Sequence, residues 1–246
     1  MLYRAVAAAY RLRAEPRLLL LGELVPRGCT AVDAGAWWGP WTYWLSRRAA
    51  SVWSFEPNPN MAAFLRRVAA PNVHVEAVGL SDRSGRATLF VPSGIGPDAL
   101  ATLTAARRTS DAAGVEVALA ALDEYDLERV GFVKIDVEGH ELEVLRGAER
   151  TLERWRPTLL VEIEQRLHDE PIEGIFDWLR ARGYEGWVRR RGSWAPLTTF
   201  DVERDQLQRR RVKRPTYVNN FVFAARDRQP GRMEPGEARR RLRSVR

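Results

Sequence analysis

The sequence predicts an α/β fold in which a mostly parallel sheet carries helices on both faces. Three observations lead there. Short β-branched apolar runs recur along the chain, helix-period segments separate them, and the runs end in acids and glycines. Apolar runs of five to eight residues without alternation are what strands buried on both faces look like. Alternation of such runs with helices implies parallel pairing by crossover.

The runs are "TAVDAG" (30–35), "SVWSFE" (51–56), "VHVEAVGL" (73–80), "GFVKIDV" (131–137) and "TLLVEIE" (158–164). Between the first two lies the helical pattern "WTYWLSRRA". Between the next two lies "NPNMAAFLRRVAA", with an Asn-Pro start and a stop at Pro71. The stretch "HELEVLRGAERTLERW" reads as one helix before Pro157, with Leu142, Leu145 and Leu152 on one face. Residues 81–91 break the alternation with a Ser84-Gly85 turn followed by a strand. Residues 92–114 are rich in Gly, Ala and Ser, have no period, and read as a long mobile excursion over one end of the sheet. "GYEGWVRR" and "NNFVFAAR" read as two closing strands. The sequence shows no internal repeat, and one domain accounts for it: an N-terminal helical segment at 1–28, a single domain at 29–225, and a tail at 226–246.

A chain of 246 residues, 45% apolar and 29% charged, is long enough to bury one large core. Its net charge of +7 is unevenly spread. Residues 204–214 and 226–246 each carry about +5, so the remainder is slightly acidic. The basic stretches read as a solvated loop and a disordered tail. Aromatics do not interleave with the tail arginines as stacking platforms would, so nucleic acid is not expected as a partner. The single cysteine, Cys29, excludes an intramolecular disulfide framework and fits a reducing cytoplasm. The apolar stretch "LLLLGELV" is too short to span a bilayer, and charges interrupt the N-terminus, so no membrane span is expected.

The chemistry concentrates at the ends of the runs. "VDAGAWWGPW" (32–41) places Asp33 at a strand end, then Gly35 and Gly39 around two tryptophans. Glycines there allow a tight turn and close approach of a ligand to backbone. In open α/β sheets ligands sit at the carboxyl ends of strands where the strand order reverses. The third glycine of a dinucleotide fingerprint is absent, and indoles crowd the helix start, so a pyrophosphate fits poorly. Glu56 closes the second run 23 residues after Asp33, near the spacing of a ribose-binding carboxylate, and Pro57 and Pro59 fix the turn after it. In "FVKIDVEGHELEVLRG" (132–147), Asp136, Glu138, His140 and Glu141 crowd one strand end. Helix capping explains Glu138 or Glu141, not all four. This cluster reads as an active-site floor.

The ordered set "VDAGAWWG", "SFEPNP", "VGLSDRSG" and "VKIDVEGHELEVLRGA", spanning roughly residues 29–165, resembles the FkbM-type family of S-adenosylmethionine-dependent methyltransferases. The resemblance implies a Rossmann-like class I methyltransferase fold with seven strands, the last antiparallel. It implies methyl transfer to oxygen on a small hydroxylated acceptor such as a sugar or polyketide. It further implies that Asp33, Gly35, Ala36 and Gly39 hold the methionine part of the cofactor and that Glu56, with Pro57 beside it, binds the ribose. Val78 and Gly79 lie near the adenine, Asp82 caps its amine, and Asp136 faces the sulfonium. Where the family has Asn, this chain has Trp37. An alcohol needs its proton removed during attack, and His140, Asp136 and Glu138 are the candidate bases. A divalent cation on Asp136, Glu138 and Glu162 is a second route, though no metal is expected. Rival readings are a non-enzymatic nucleotide- or nucleic-acid-binding protein and a nicotinamide-dependent oxidoreductase. The sequence names neither the acceptor nor the oligomeric state.

Overall fold

The computed structural model describes residues 3, 6, 7, 9, 10, 16–92, 101–103, 112–190, 192–208 and 217–225. The tail expected at 226–246 and most of the excursion at 92–114 lie outside them.

The main sheet has eight strands in the order β10-β9-β11-β8-β7-β1-β2-β3. These are β1 (Thr30–Ala34), β2 (Ser51–Phe55), β3 (Val73–Glu76), β7 (Val130–Ile135), β8 (Thr158–Glu162), β9 (Tyr184–Arg190), β10 (Ser193–Pro196) and β11 (Asn220–Ala225). Strands β3, β2, β1, β7 and β8 run parallel, and β11 is antiparallel to both β8 and β9. The seven expected strands with an antiparallel last one are therefore present. Strand β10 folds back on β9 as an eighth, at the edge. Chain order runs outward from β1 through β2 to β3 on one side and from β7 to β8 on the other. The reversal falls between β1 and β7.

Period-2 alternation sorts the two faces. Val32, Ala34, Val133, Ile135, Leu159, Val161, Phe221 and Phe223 point into one core, with α4 (Glu141–Arg146), α5 (Glu149–Trp155) and α6 (Glu173–Ala181). Ala31, Phe132, Leu160 and Val222 point into the other, with Leu18, Leu21 and Leu24 near α1 (Leu21–Leu24) and with Trp41 and Leu45 of α2 (Pro40–Leu45). Helix α3 (Pro59–Val68) is capped by Asn58, whose side chain accepts the N–H groups of Asn60 and Met61.

Three expectations change. The run 73–80 splits: β3 pairs with β2, while β4 (Val78–Leu80) joins a separate sheet of order β4-β6-β5, with β5 at Gly85–Val91 and β6 at Ala113–Ala120. Residues 113–114, expected in the excursion, open β6. The helix expected across 140–155 is two helices, α4 and α5. The carbonyl of Gly147 accepts the Asp123 N–H, and a Cβ there would lie 1.9 Å from the Ser81 carbonyl oxygen. Asp123 then caps α5 from a distance, accepting from the N–H groups of Arg150 and Thr151. The amphipathic helix α6 went unread, although Ile175, Phe176 and Leu179 mark its buried face.

Candidate active site

The site lies at the carboxyl ends of β1, β2, β7 and β8. Strand register sets its first feature. Asp33 and Lys134 are partners across β1 and β7, and alternation sends both toward the α2 face. Lys134 Nζ lies 3.3 Å from Asp33 Oδ1 and 3.5 Å from Asp136 Oδ2, and it donates to the Gly35 carbonyl at 2.7 Å. Burial by itself would push this ammonium down; Asp33 and Asp136 outweigh it and hold it above the ordinary lysine value. The other oxygen of Asp33 accepts from Thr42 of α2 at 2.6 Å, and Thr42 and Ser54 share a bond of 2.8 Å. Asp33 is thus fully buried, one oxygen hydrogen-bonded to Thr42 and the other met by the Lys134 ammonium.

After Asp33 the chain turns through Gly35 (φ 74°) and Gly39 (φ 87°), with Trp37 between them at φ 52°. A Cβ on Gly35 would lie 1.9 Å from the Asp136 carbonyl oxygen, so β1 and β7 end in backbone contact that only glycine permits. The Trp37 N–H donates to Glu56 Oε2 at 2.6 Å, and the Asn58 N–H donates to Oε1 at 2.8 Å. Burial pushes the Glu56 carboxyl up to about 7; those two N–H groups and Lys134 pull the other way. Turn and carboxylate form one hydrogen-bonded unit.

The second concentration of acid lies across β7 and β8. Asp136 is one-third exposed and Glu138 stands at φ 54°. Burial, then the charges of Asp136, Glu162 and Glu164, push Glu138 up to about 9. Burial and Asp136 push Glu162 up to about 8. Glu162 is held by Asn219 at 2.6 Å and Asn220 at 2.8 Å. Glu164 accepts from Arg166 at 2.7 and 3.1 Å and from Tyr217 at 2.6 Å. Gln206 ties this corner together, donating to the carbonyls of Ile163 and Val218 and accepting the Gln165 N–H.

Among the expected site residues, the structure joins Asp33, Gly35 and Asp136 through Lys134, and joins Glu56 to the turn. His140 faces elsewhere. Its Nε2 lies 2.9 Å from Ser81 Oγ and its Nδ1 3.6 Å from Glu143. Ser81 in turn donates to Asp82, so His140 and Asp82 meet beyond the end of β4. The side chain of Glu141 is buried, pairing with His168 at 2.8 Å and accepting the Gly139 N–H. Val78 and Gly79 lie in β4, and Pro57 packs on Gly79, 3.5 Å from where its Cβ would be. Among the described residues no three His, Cys, Asp or Glu side chains are arranged to hold a metal ion. The same residues contain no helix long and apolar enough to cross a membrane.

Sequence reasoning gave no role to Lys134, Thr42, Glu164, Asn219 or Asn220. The first and third had a signal: "KID" and "EIE" place like faces two residues apart at strand ends. Asn219 and Asn220 had none, because the β11–β8 register alone brings them to Glu162.

The model of the methyltransferase FkbM domain family matches residues 29–185. Two solved structures share the fold. The methyltransferase FkbM from Methylobacillus flagellatus KT superposes with a TM-score of 0.53 at 16% identity, covering 80% of this chain and 43% of its own. This chain therefore spans less than half of that protein's length. An rRNA methylase from Streptococcus thermophilus superposes with a TM-score of 0.50 at 13% identity, covering 86% of this chain and 95% of its own. No curated protein sequence matches the chain.

Proposed function

The chain belongs to the FkbM methyltransferase family, and from that premise we propose that it transfers a methyl group from S-adenosylmethionine to a hydroxyl of a small acceptor, a sugar, polyketide or similar metabolite. The observation that carries the cofactor reading is the Glu56 carboxylate, held at the end of β2 by the Trp37 and Asn58 N–H groups beside the 35–39 turn. Its remaining lone pairs suit two vicinal ribose hydroxyls. Asp82, one-third exposed after β4, offers an acceptor for an exocyclic amine. This pair of acceptors fits an adenosine cofactor. The reading assigns the turn from Gly35 to Gly39 to the methionine end.

The cofactor supplies an electrophilic methyl on a sulfonium, so the protein's work is positioning and proton removal. We assign the proton-accepting role to Asp136. It is the partly exposed carboxylate at the reversal point, and Lys134 anchors it from below. Glu138, pushed up to about 9 by burial and by Asp136, holds its proton at neutral pH and is not the acceptor in this reading. His140, whose ring nitrogens face Ser81 and Glu143, takes a supporting part. The buried Cys29 suits a reducing compartment such as the cytoplasm.

Calorimetry with S-adenosylhomocysteine tests the reading. Wild type binds it and does not bind NAD. Glu56→Ala weakens binding by about 1–3 kcal/mol, the cost of removing a charged acceptor from two hydroxyls. Wild-type affinity also falls as pH drops through about 7, where Glu56 takes up its proton, and the variant lacks that dependence. Equal affinity in both proteins removes Glu56 from the site.

A further inference from the structure

The segment before residue 29 lies outside the matched family domain, yet it reaches back to the 35–39 turn. The Tyr3 hydroxyl donates to the Gly39 carbonyl at 2.8 Å. The Tyr3 ring meets Trp38, Tyr43 and Phe64 edge-on, with centroids 6.2, 5.6 and 5.9 Å away. Tyr10 meets Trp38 at 5.2 Å and Trp37 at 6.4 Å, again edge-on. Trp44 of α2 donates to the carbonyl of Ala7, which is fully buried. The turn so held contains a non-glycine residue, Trp37, in the left-handed region. Such a conformation persists only where its surroundings over-determine it, and such residues cluster at ligand sites. Here the surroundings are two. The Trp37 N–H is fixed on Glu56, and the Trp37 ring is fixed between Trp38 and Tyr10. The two tryptophans divide the labour. Trp38 packs into the tyrosines, while Trp37 stays 39% exposed beside Glu56.

Resting on the methyltransferase reading above, we infer that the N-terminal segment completes the cofactor site, with Tyr3 and Tyr10 as positioning residues. They hold the 35–39 turn in the shape that sets Glu56 for the ribose. They touch neither cofactor nor acceptor; they act through Gly39, Trp38 and Trp37. Edge-on aromatic packing adds to area burial, so the clamp is directional as well as apolar. The charged neighbours of Glu56 are Lys134 and Asp33, both on the β1–β7 pair.

The test measures S-adenosylhomocysteine affinity by calorimetry on the full chain, for wild type, Tyr3→Phe and Tyr10→Ala, beside thermal melts of the free proteins. Tyr3→Phe removes one oxygen and keeps the ring. It weakens S-adenosylhomocysteine by about threefold to tenfold, the value of one hydrogen bond. Tyr10→Ala weakens it by about tenfold or more. A merely structural role would lower the melting temperature without touching a second readout, the pH at which binding is half-maximal. Loosening the Trp37 N–H from Glu56 withdraws a donor from the carboxylate, so that midpoint moves to higher pH in both variants. If Tyr10→Ala does not fold, Tyr3→Phe carries the test. Unchanged affinity and an unchanged pH midpoint in Tyr3→Phe overturn this inference and leave the proposed function standing. Absence of S-adenosylhomocysteine binding by wild type overturns the proposed function itself, and the inference with it.

Discussion

Two clusters of carboxylates share one end of the sheet and behave in opposite ways. At the ends of β1 and β7, Asp33 and Asp136 flank a buried lysine, and an ammonium between two acids stays charged. At the ends of β7 and β8, Glu138 and Glu162 face each other and Glu164; Arg166 is bound to Glu164, and the pull of Arg17 on Glu162 does not outweigh burial and Asp136. There Glu138 and Glu162 hold their protons well above the ordinary range. Neighbouring strand ends thus supply a fixed ionic anchor and a proton-rich wall. The difference follows Lys134, whose ammonium lies against Asp33 and Asp136. Burial and like charges keep a proton on a carboxylate where the nearby cations do not offset them.

Three changes break or sharpen that contrast. The largest expected effect is on rate. Asp136→Asn removes the acceptor at the ionic end and lowers methyl transfer by about 10²–10⁴-fold in single-turnover assays, while His140→Ala costs less than about tenfold. A larger loss from His140→Ala than from Asp136→Asn reverses the assignment. Next comes stability. Lys134→Met leaves Asp33 buried beside Thr42 without its cation and costs about 3–5 kcal/mol, read from urea unfolding. A loss below about 1 kcal/mol would mean the Asp33–Lys134 pair contributes little and the ends differ less than argued.

The third effect is a pH slope. The Glu138 and Glu162 carboxyls are raised in the folded state to about 9 and about 8. Below their ordinary values both states are protonated and there is no penalty. As pH rises from about 4.5, the unfolded chain ionises first, so these groups erode stability up to about 8–9. Glu138→Gln should therefore melt at the wild-type temperature near pH 4 and above it at pH 8. Parallel melting curves across that range would show that Glu138 ionises in place.

Much of this was legible in the sequence because it is local. The strands at 30–34, 51–55, 130–135 and 158–162 announced themselves by composition, and the glycines at 35 and 39 by their place after a strand. The two acids Asp33 and Glu56 stood out because carboxylates at strand ends are costly unless used. The division of one expected helix into α4 and α5 was not legible. It depends on Gly147 meeting Ser81 across the fold. Strand β6 went unread because its pairing partner, β5, lies across the excursion. The orientation of His140 toward Ser81, 59 residues earlier, had no local signal either.

The sequence by itself determined the layer architecture, the reversal-point turn and the inventory of acids, since periodicity and residue chemistry act over a few positions. Only the tertiary structure decided which groups each acid meets. The β1–β7 register places Lys134 against Asp33, and the β11–β8 register places Asn219 and Asn220 on Glu162. Ionisation depends on desolvation and on charges a few ångströms away, and those distances are set by strand pairing between segments about 60 to 100 residues apart.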